Sequence, residues 1–168
     1  AIAGNRVFAT TGYGELVALD AASGAVIWRQ RVDAPMSGAP ATDGEAVYVS
    51  GRDCSAWAVS AADGKVIWQV VGTPGRTAWV GTAATSVGDR AVIFPSAGGD
   101  LMAVLKIGGG TKVWQSSLAG KRLGRAYALT ADVTGDAVIA GKTLYAGSGA
   151  GRTVVMSASS GEQLWAAG

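Results

Sequence analysis

Val17-Ala18-Leu19-Asp20-Ala21-Ala22-Ser23-Gly24-Ala25-Val26-Ile27-Trp28 reads as a strand, a tight turn containing glycine, and a second strand that ends on tryptophan. Trp57-Ala58-Val59-Ser60-Ala61-Ala62-Asp63-Gly64-Lys65-Val66-Ile67-Trp68 writes the same pattern again. Looser copies run from Met102 through Gly110 to Trp114 and from Val154 through Gly161 to Trp165. The four tryptophans stand 40, 46 and 51 residues apart. A signature recurring every roughly 40–50 residues marks a repeat architecture, in which each unit buries its faces only against its neighbours.

Around each signature the chain divides into four short strands, A to D. The first repeat has strands at 6–10, 15–20 and 25–31, and its strand A is reduced to a stub, because residues 1–8 align with 41–48. The second runs 38–42, 46–50, 56–60 and 65–70; the third 81–87, 90–95, 101–105 and 112–117; the fourth 136–140, 143–147, 153–157 and 162–166. The C–D turns carry Ser23-Gly24, Asp63-Gly64, Gly109-Gly110 and Ser160-Gly161, and the A–B turns Gly4-Asn5, Asp43-Gly44, Gly88-Asp89 and Gly141-Lys142. Glycine supplies the positive φ of a tight hairpin, and aspartate accepts backbone hydrogen bonds across it. An extra residue at Gly108-Gly109-Gly110 predicts that the third C–D hairpin is the least regular. The pattern predicts an all-β fold: a β-propeller of four-stranded antiparallel blades, four of them present, at about 1–32, 33–71, 72–118 and 119–168.

Composition narrows the function. With 14 basic and 12 acidic residues the net charge is +2, too balanced for the basic stripe of a nucleic-acid binder. Histidine is absent, which removes the commonest general base and metal ligand, and the single Cys54 has no partner in the chain for a disulfide. The 168 residues fit one domain or a piece of one; they contain no charged leader ahead of an apolar core, and no run of about 18 apolar residues. Ala140-Gly141-Lys142-Thr143 resembles the end of a phosphate loop, but Asp136 stands where that motif needs glycine. No catalytic, cofactor-binding or metal-binding residues are assigned.

Trp28, Trp68, Trp114 and Trp165 are assigned to docking between blades: a flat indole at a fixed place on strand D fills the gap to the next sheet while its N–H seeks a backbone acceptor. Trp57 and Trp79 fall outside this series. The connections from strand D to the next strand A differ in length. The first, 32–37, is short; the second, 71–80, carries Arg76, Ala78 and Trp79; the third, 118–133, is about sixteen residues long and carries Arg122, Arg125 and Asp132, with Thr134 just beyond. In a propeller these connections emerge on one face, and insertions there build a shared surface.

The repeat Ala18-Leu19-Asp20…Gly24…Trp28 resembles the quinoprotein-type propeller repeat, and the order of connections, with Leu129-Thr130-Ala131-Asp132-Val133 followed by Val138-Ile139, resembles the BamB-type outer-membrane protein assembly lipoproteins. The resemblance covers the whole chain and implies the central four of that family's eight blades. It implies a non-enzymatic periplasmic scaffold, lipid-anchored to the inner leaflet of the outer membrane, that binds a POTRA domain of BamA, with nascent outer-membrane proteins as a further partner. Carried onto matching positions, the contacts fall on Ala78, Trp79, Asp132 and Thr134. There are departures: Thr134 replaces the family's second aspartate, Ala137 its proline, and Ala78 and Trp79 lie near its leucine and arginine. Two alternatives remain. One is a segment of a quinone (PQQ)-dependent dehydrogenase, which requires an adjacent cysteine pair, calcium-binding acids and a base aspartate. The other is a small ligand- or protein-binding propeller.

Overall fold

The structure of the chain, a computed structural model, describes residues 1–71, 83–96, 99–118, 133, 135–148 and 151–167, with Ser37 described in its backbone only. Four antiparallel four-stranded sheets follow one another along the chain, and no helix occurs among the described residues. The first is β1 (Ile2–Ala3), β2 (Arg6–Thr10), β3 (Glu15–Asp20) and β4 (Val26–Arg31). The second is β5 (Met36–Thr42), β6 (Ala46–Gly51), β7 (Ala56–Ser60) and β8 (Val66–Val70). The third is β9 (Ser86–Val87), β10 (Ala91–Ser96), β11 (Asp100–Leu105) and β12 (Lys112–Ser117); the fourth is β13 (Val138–Ala140), β14 (Thr143–Gly147), β15 (Thr153–Ser157) and β16 (Gln163–Ala167). Each is a meander of sequential neighbours, the β-propeller blade expected from the repeats.

Burial shows how the sheets are arranged. Every residue of β6 is buried, because its sheet has a neighbour on each face. On β14, in the last sheet, burial alternates, because only one face is covered. One apolar cluster joins sheets one and two through Phe8, Leu16 and Ala18 against Val47, Val49 and Val59. A second joins sheets two and three through Tyr48 and Ala58 against Val92, Phe94 and Val104. A third joins sheets three and four through Ile93 and Leu101 against Leu144 and Met156.

One joint recurs between adjacent sheets. The Trp28 indole N–H donates to the Ala61 carbonyl at 3.2 Å, Trp68 to Lys106 at 3.1 Å, and Trp114 to Ala158 at 3.1 Å. In each case the ring lies over the C–D turn glycine of the next sheet. A Cβ on Gly64 would come 2.8 Å from Trp28, one on Gly110 3.0 Å from Trp68, and one on Gly161 2.5 Å from Trp114. These glycines also hold φ of +75°, +80° and +70°. They are required twice, for turn conformation and for the approach of the neighbouring indole.

The C–D pairings share a second feature. Each has a register shift at the same place: Ala18/Leu19, Ala58/Val59, Ala103/Val104 and Val155/Met156. A bulge there increases local twist ahead of the turn. The third hairpin differs as expected. Asp20, Ser60 and Ser157 donate to the carbonyls of Ala25, Lys65 and Glu162, five residues on, whereas Leu105 donates to the Thr111 carbonyl, six residues on, over three successive glycines with positive φ.

Strand limits depart from expectation mainly on the inner strands. The third repeat's inner strand is β9 alone; residues 83–85 are not strand, and 81–82 lie outside the described residues. The Ala84 N–H donates to the Asp136 carboxylate at 2.7 Å, and the Ser86 hydroxyl donates to the Ala137 carbonyl. Side chains thus tie these segments across sheets, and β13 starts at Val138 instead of 136.

Candidate partner-binding face

The B–C turns and the D-to-A connections leave the sheets on the same side, and hydrogen bonds tie them to one another. Val32 donates to the Gly14 carbonyl at 2.8 Å, and Arg52 donates to Pro35 at 2.9 Å, so the first connection is held at one end by its own sheet and at the other by the next. At the start of the third connection both sheets hold one residue: Leu118 donates to Gly99 at 2.7 Å, and the Arg152 guanidinium of the next sheet donates to the Leu118 carbonyl at 3.1 Å. At its far end, Val133 forms a bridge with Ser148 of the next sheet. Glycine at 14 is required: its φ is +80°, and a Cβ would meet the carbonyls of Val32 and Ala34 at 2.8 and 2.9 Å.

The second sheet's B–C turn is held by a chain of side-chain hydrogen bonds. Asp53 accepts from the Ser55 N–H at 3.0 Å and the Ser55 hydroxyl at 2.5 Å, and Ser55 accepts from the Trp57 indole at 3.0 Å. Cys54 between them takes a φ of +63°, the one non-glycine residue with positive φ among those described. Trp57, outside the tryptophan series, is therefore a buried anchor for this turn.

Of the residues assigned to the partner surface, Arg76, Ala78, Trp79, Arg122, Arg125, Asp132 and Thr134 all lie outside the described residues. The structure describes the places from which their connections leave and return: Val71, Ala83, Leu118 and Val133. Trp28, Trp68 and Trp114 sit in the joints between sheets, whereas Trp165 is 52% exposed. Sequence reasoning missed Tyr13, in the first B–C turn, whose side chain is 91% exposed on this face. The signal was a tyrosine between two glycines in a turn, Gly12-Tyr13-Gly14, where the scaffold has no packing use for it.

The side chains with shifted pKa cluster on the opposite, A–B and C–D side. Burial pushes the Asp43 carboxyl up, but hydrogen bonds from the Ala46 N–H, Lys106, Tyr48 and the Glu45 N–H outweigh it and hold it at about 2. Its ion pair to Lys106, at 3.1 Å, links the A–B turn of sheet two to the C–D turn of sheet three. Burial and then the Asp43 charge raise the Tyr48 phenol. Asp63 is held at about 2 by hydrogen bonds from Lys65 and Ser60. Asp20 is lowered by the Ser23 hydroxyl and N–H. These are turn and joint contacts; among the described residues no three of Asp, Glu and Cys are grouped to hold a metal.

Residues 1–168 match the protein family described as outer membrane protein assembly factor BamB. The outer membrane protein assembly factor BamB of Nitrosomonas eutropha is 27% identical over 166 residues, 97% of this chain and 39% of that protein. The chain thus spans about two-fifths of the relative's length. The crystal structure of BamB from Moraxella catarrhalis overlays with a TM-score of 0.74 at 21% identity, covering 98% of this chain and 61% of that one. Quinohemoprotein alcohol dehydrogenase ADHIIG from Pseudomonas putida HK5 overlays at 0.79 with 17% identity, covering 99% of this chain and 33% of that one. At these identities the two overlays show a shared fold alone.

Proposed function

The chain belongs to the outer membrane protein assembly factor BamB family, and from that premise we propose that it is a non-enzymatic scaffold of the outer-membrane β-barrel assembly machinery. It docks a POTRA domain of BamA on the face that carries the D-to-A connections, and nascent outer-membrane proteins are a further ligand. It works in the periplasm, held to the inner leaflet of the outer membrane by a lipid anchor. The observation that carries this reading is the family match over the whole of residues 1–168.

The fold supplies what such a scaffold needs. The first connection is pinned by backbone hydrogen bonds at Val32 and Pro35, and the third by a backbone hydrogen bond at Leu118 and a β-bridge at Val133. A partner then pays less ordering entropy than it would on free loops. Aromatic and arginine side chains dominate protein interfaces, and this face offers Tyr13 and Arg52 among the described residues. Arg76, Trp79, Arg122 and Arg125 belong to the two longer connections. Ala78, Asp132 and Thr134 complete the proposed contact.

The test is co-purification with the BamA periplasmic region. Trp79→Ala, Asp132→Ala and the double charge reversal Arg122→Glu/Arg125→Glu are each expected to lower recovery of the partner while leaving the β-sheet circular dichroism unchanged. Undiminished recovery with all three variants would sink the proposal.

A further inference from the structure

The joints between neighbouring sheets are filled differently at their A–B and C–D end. Between sheets two and three the filling is polar: the Asp43 carboxylate accepts from the Tyr48 hydroxyl at 2.9 Å and pairs with Lys106 at 3.1 Å. Between sheets three and four it is apolar. Gly88, Ile93 and Ala158 stand where Asp43, Tyr48 and Lys106 do, and a Cβ on Gly88 would come 3.3 Å from the Ile139 side chain, which covers the place. Between sheets one and two neither filling is present. Ala3, Phe8 and Ala61 hold the three positions, and Thr42, at the position of Ile139, turns its hydroxyl back to the Ala46 carbonyl at 2.7 Å. What remains there is a cavity of about 320 Å³, walled by Ala3, Phe8, Gly44 and Ala61 and bordered by Asn5 and Arg6.

Arg6 has no basic counterpart in the other sheets, where Ala46, Ala91 and Thr143 take its place in the ladder. It is half-buried, and one terminal nitrogen donates to the Ala61 carbonyl at 2.6 Å and to the Ala62 carbonyl at 3.3 Å. Among the described residues the other terminal nitrogen and Nε make no hydrogen bond, and the guanidinium forms no ion pair. Those two nitrogens share one plane and present two parallel N–H groups, the fork that fits a carboxylate. A cation drawn partly out of water with no counter-ion opposes folding. The other two joints hold together without one.

We propose that the cavity between sheets one and two binds a small organic carboxylate with an apolar body. The carboxylate lies on the free edge of Arg6, as Asp43 lies on Lys106 in the next joint, and the apolar part lies against Phe8 and Ala3. The volume stands at the lower end of the range for small-molecule sites, roughly 300–1,000 Å³. One cation among apolar walls matches a single carboxylate; a phosphate brings more charge and more acceptor oxygens than these walls meet. The site is on the side away from the connections, so it does not rest on the docking of BamA.

The experiment is a titration of the chain with benzoate, followed by proton–nitrogen NMR. Saturable shifts are expected at the amides of Asn5, Arg6, Gly44 and Ala61 and at the Trp28 indole, whose acceptor is the Ala61 carbonyl. Benzamide, which keeps the ring and loses the charge, and inorganic phosphate, which keeps charge and loses the ring, should each bind at least about tenfold more weakly. Arg6→Gln should weaken benzoate by at least about the same factor. Ala3→Asp puts a carboxylate where the next joint has Asp43. It should abolish benzoate binding without lowering the urea midpoint, which separates a filled site from a damaged joint. The absence of any saturable shift with benzoate overturns the proposal. Benzoate binding that survives either variant, or benzamide or phosphate binding as tight as benzoate, overturns it as well.

Discussion

The Cβ that Gly161 lacks would fall 2.5 Å from the Trp114 indole, inside its van der Waals envelope. The same overlap occurs between Gly64 and Trp28, whereas the counterpart Gly24 faces open space. Both turns hold positive φ, so a substitution with alanine carries the backbone penalty in either place, about 1 kcal/mol. At Gly64 it also has to displace the indole and its hydrogen bond, for a total of roughly 2–4 kcal/mol. Urea unfolding of Gly64→Ala and Gly24→Ala is therefore expected to differ by at least about 1 kcal/mol, with Gly64→Ala the less stable. Equal midpoints would mean that the ring yields freely and the glycine is there for the turn alone.

The tryptophans give a parallel contrast. Trp68 is buried and packs edge-on to Phe94 at 6.1 Å as well as on Gly110. Trp68→Ala should cost about 3–5 kcal/mol, the range for a buried aromatic truncated to alanine. Trp165→Ala should cost about 1 kcal/mol or less, because the ring is half exposed. Comparable losses at the two positions would show that Trp165 has packing beyond its own sheet.

Much of this was legible in the sequence because the repeat carries its own register. The limits of β3, β7, β12, β14 and β15 agree with expectation to the residue, since each is bounded by turn glycines or aspartates whose chemistry is local. The inner strands were less legible: β9 and β13 are short because Asp136 and Ser86 bond across sheets, and a contact between residues about 50 positions apart leaves no mark in a local pattern. The tryptophan and the glycine were each visible as recurring letters, but their contact belongs to successive copies, so the glycine's second role was hidden. At the candidate face, Tyr13 was not legible because a tyrosine in a short turn carries no repeat signal of whether it packs or faces solvent.

The clamp between sheets two and three gives a pH dependence. Asp43 is depressed from its ordinary 3.8 to about 2. Its contribution to stability is fully present above the unfolded value and is lost as pH falls through the folded one. The window is therefore about pH 4 down to about pH 2. After discounting for solvent screening, the contribution is about 1 kcal/mol. Asp43→Asn should lower stability uniformly between pH 5 and 8 and make the fall from about pH 4 to about pH 2 shallower. Identical acid profiles for the wild type and the variant would assign the sensitivity to other carboxylates, such as Asp20 and Asp63.

Tyr13 offers a test of the face that does not depend on the long connections. Tyr13→Ala should leave the unfolding midpoint within about 0.5 kcal/mol of wild type, because the side chain is exposed. In the same variant, the dissociation constant for the BamA periplasmic region should rise severalfold, as expected for an interface aromatic. A change in stability without a change in binding would return Tyr13 to the scaffold.

The most direct measurement is amide hydrogen exchange on the chain with and without the BamA periplasmic region. Protection is expected at the B–C turns, residues 11–14 and 51–55, and along the second and third connections, while the C–D turns at 20–24 and 60–64 exchange unchanged. Protection confined to the C–D and A–B turns, or none at saturating partner, would contradict the placing of the binding surface on the connection face.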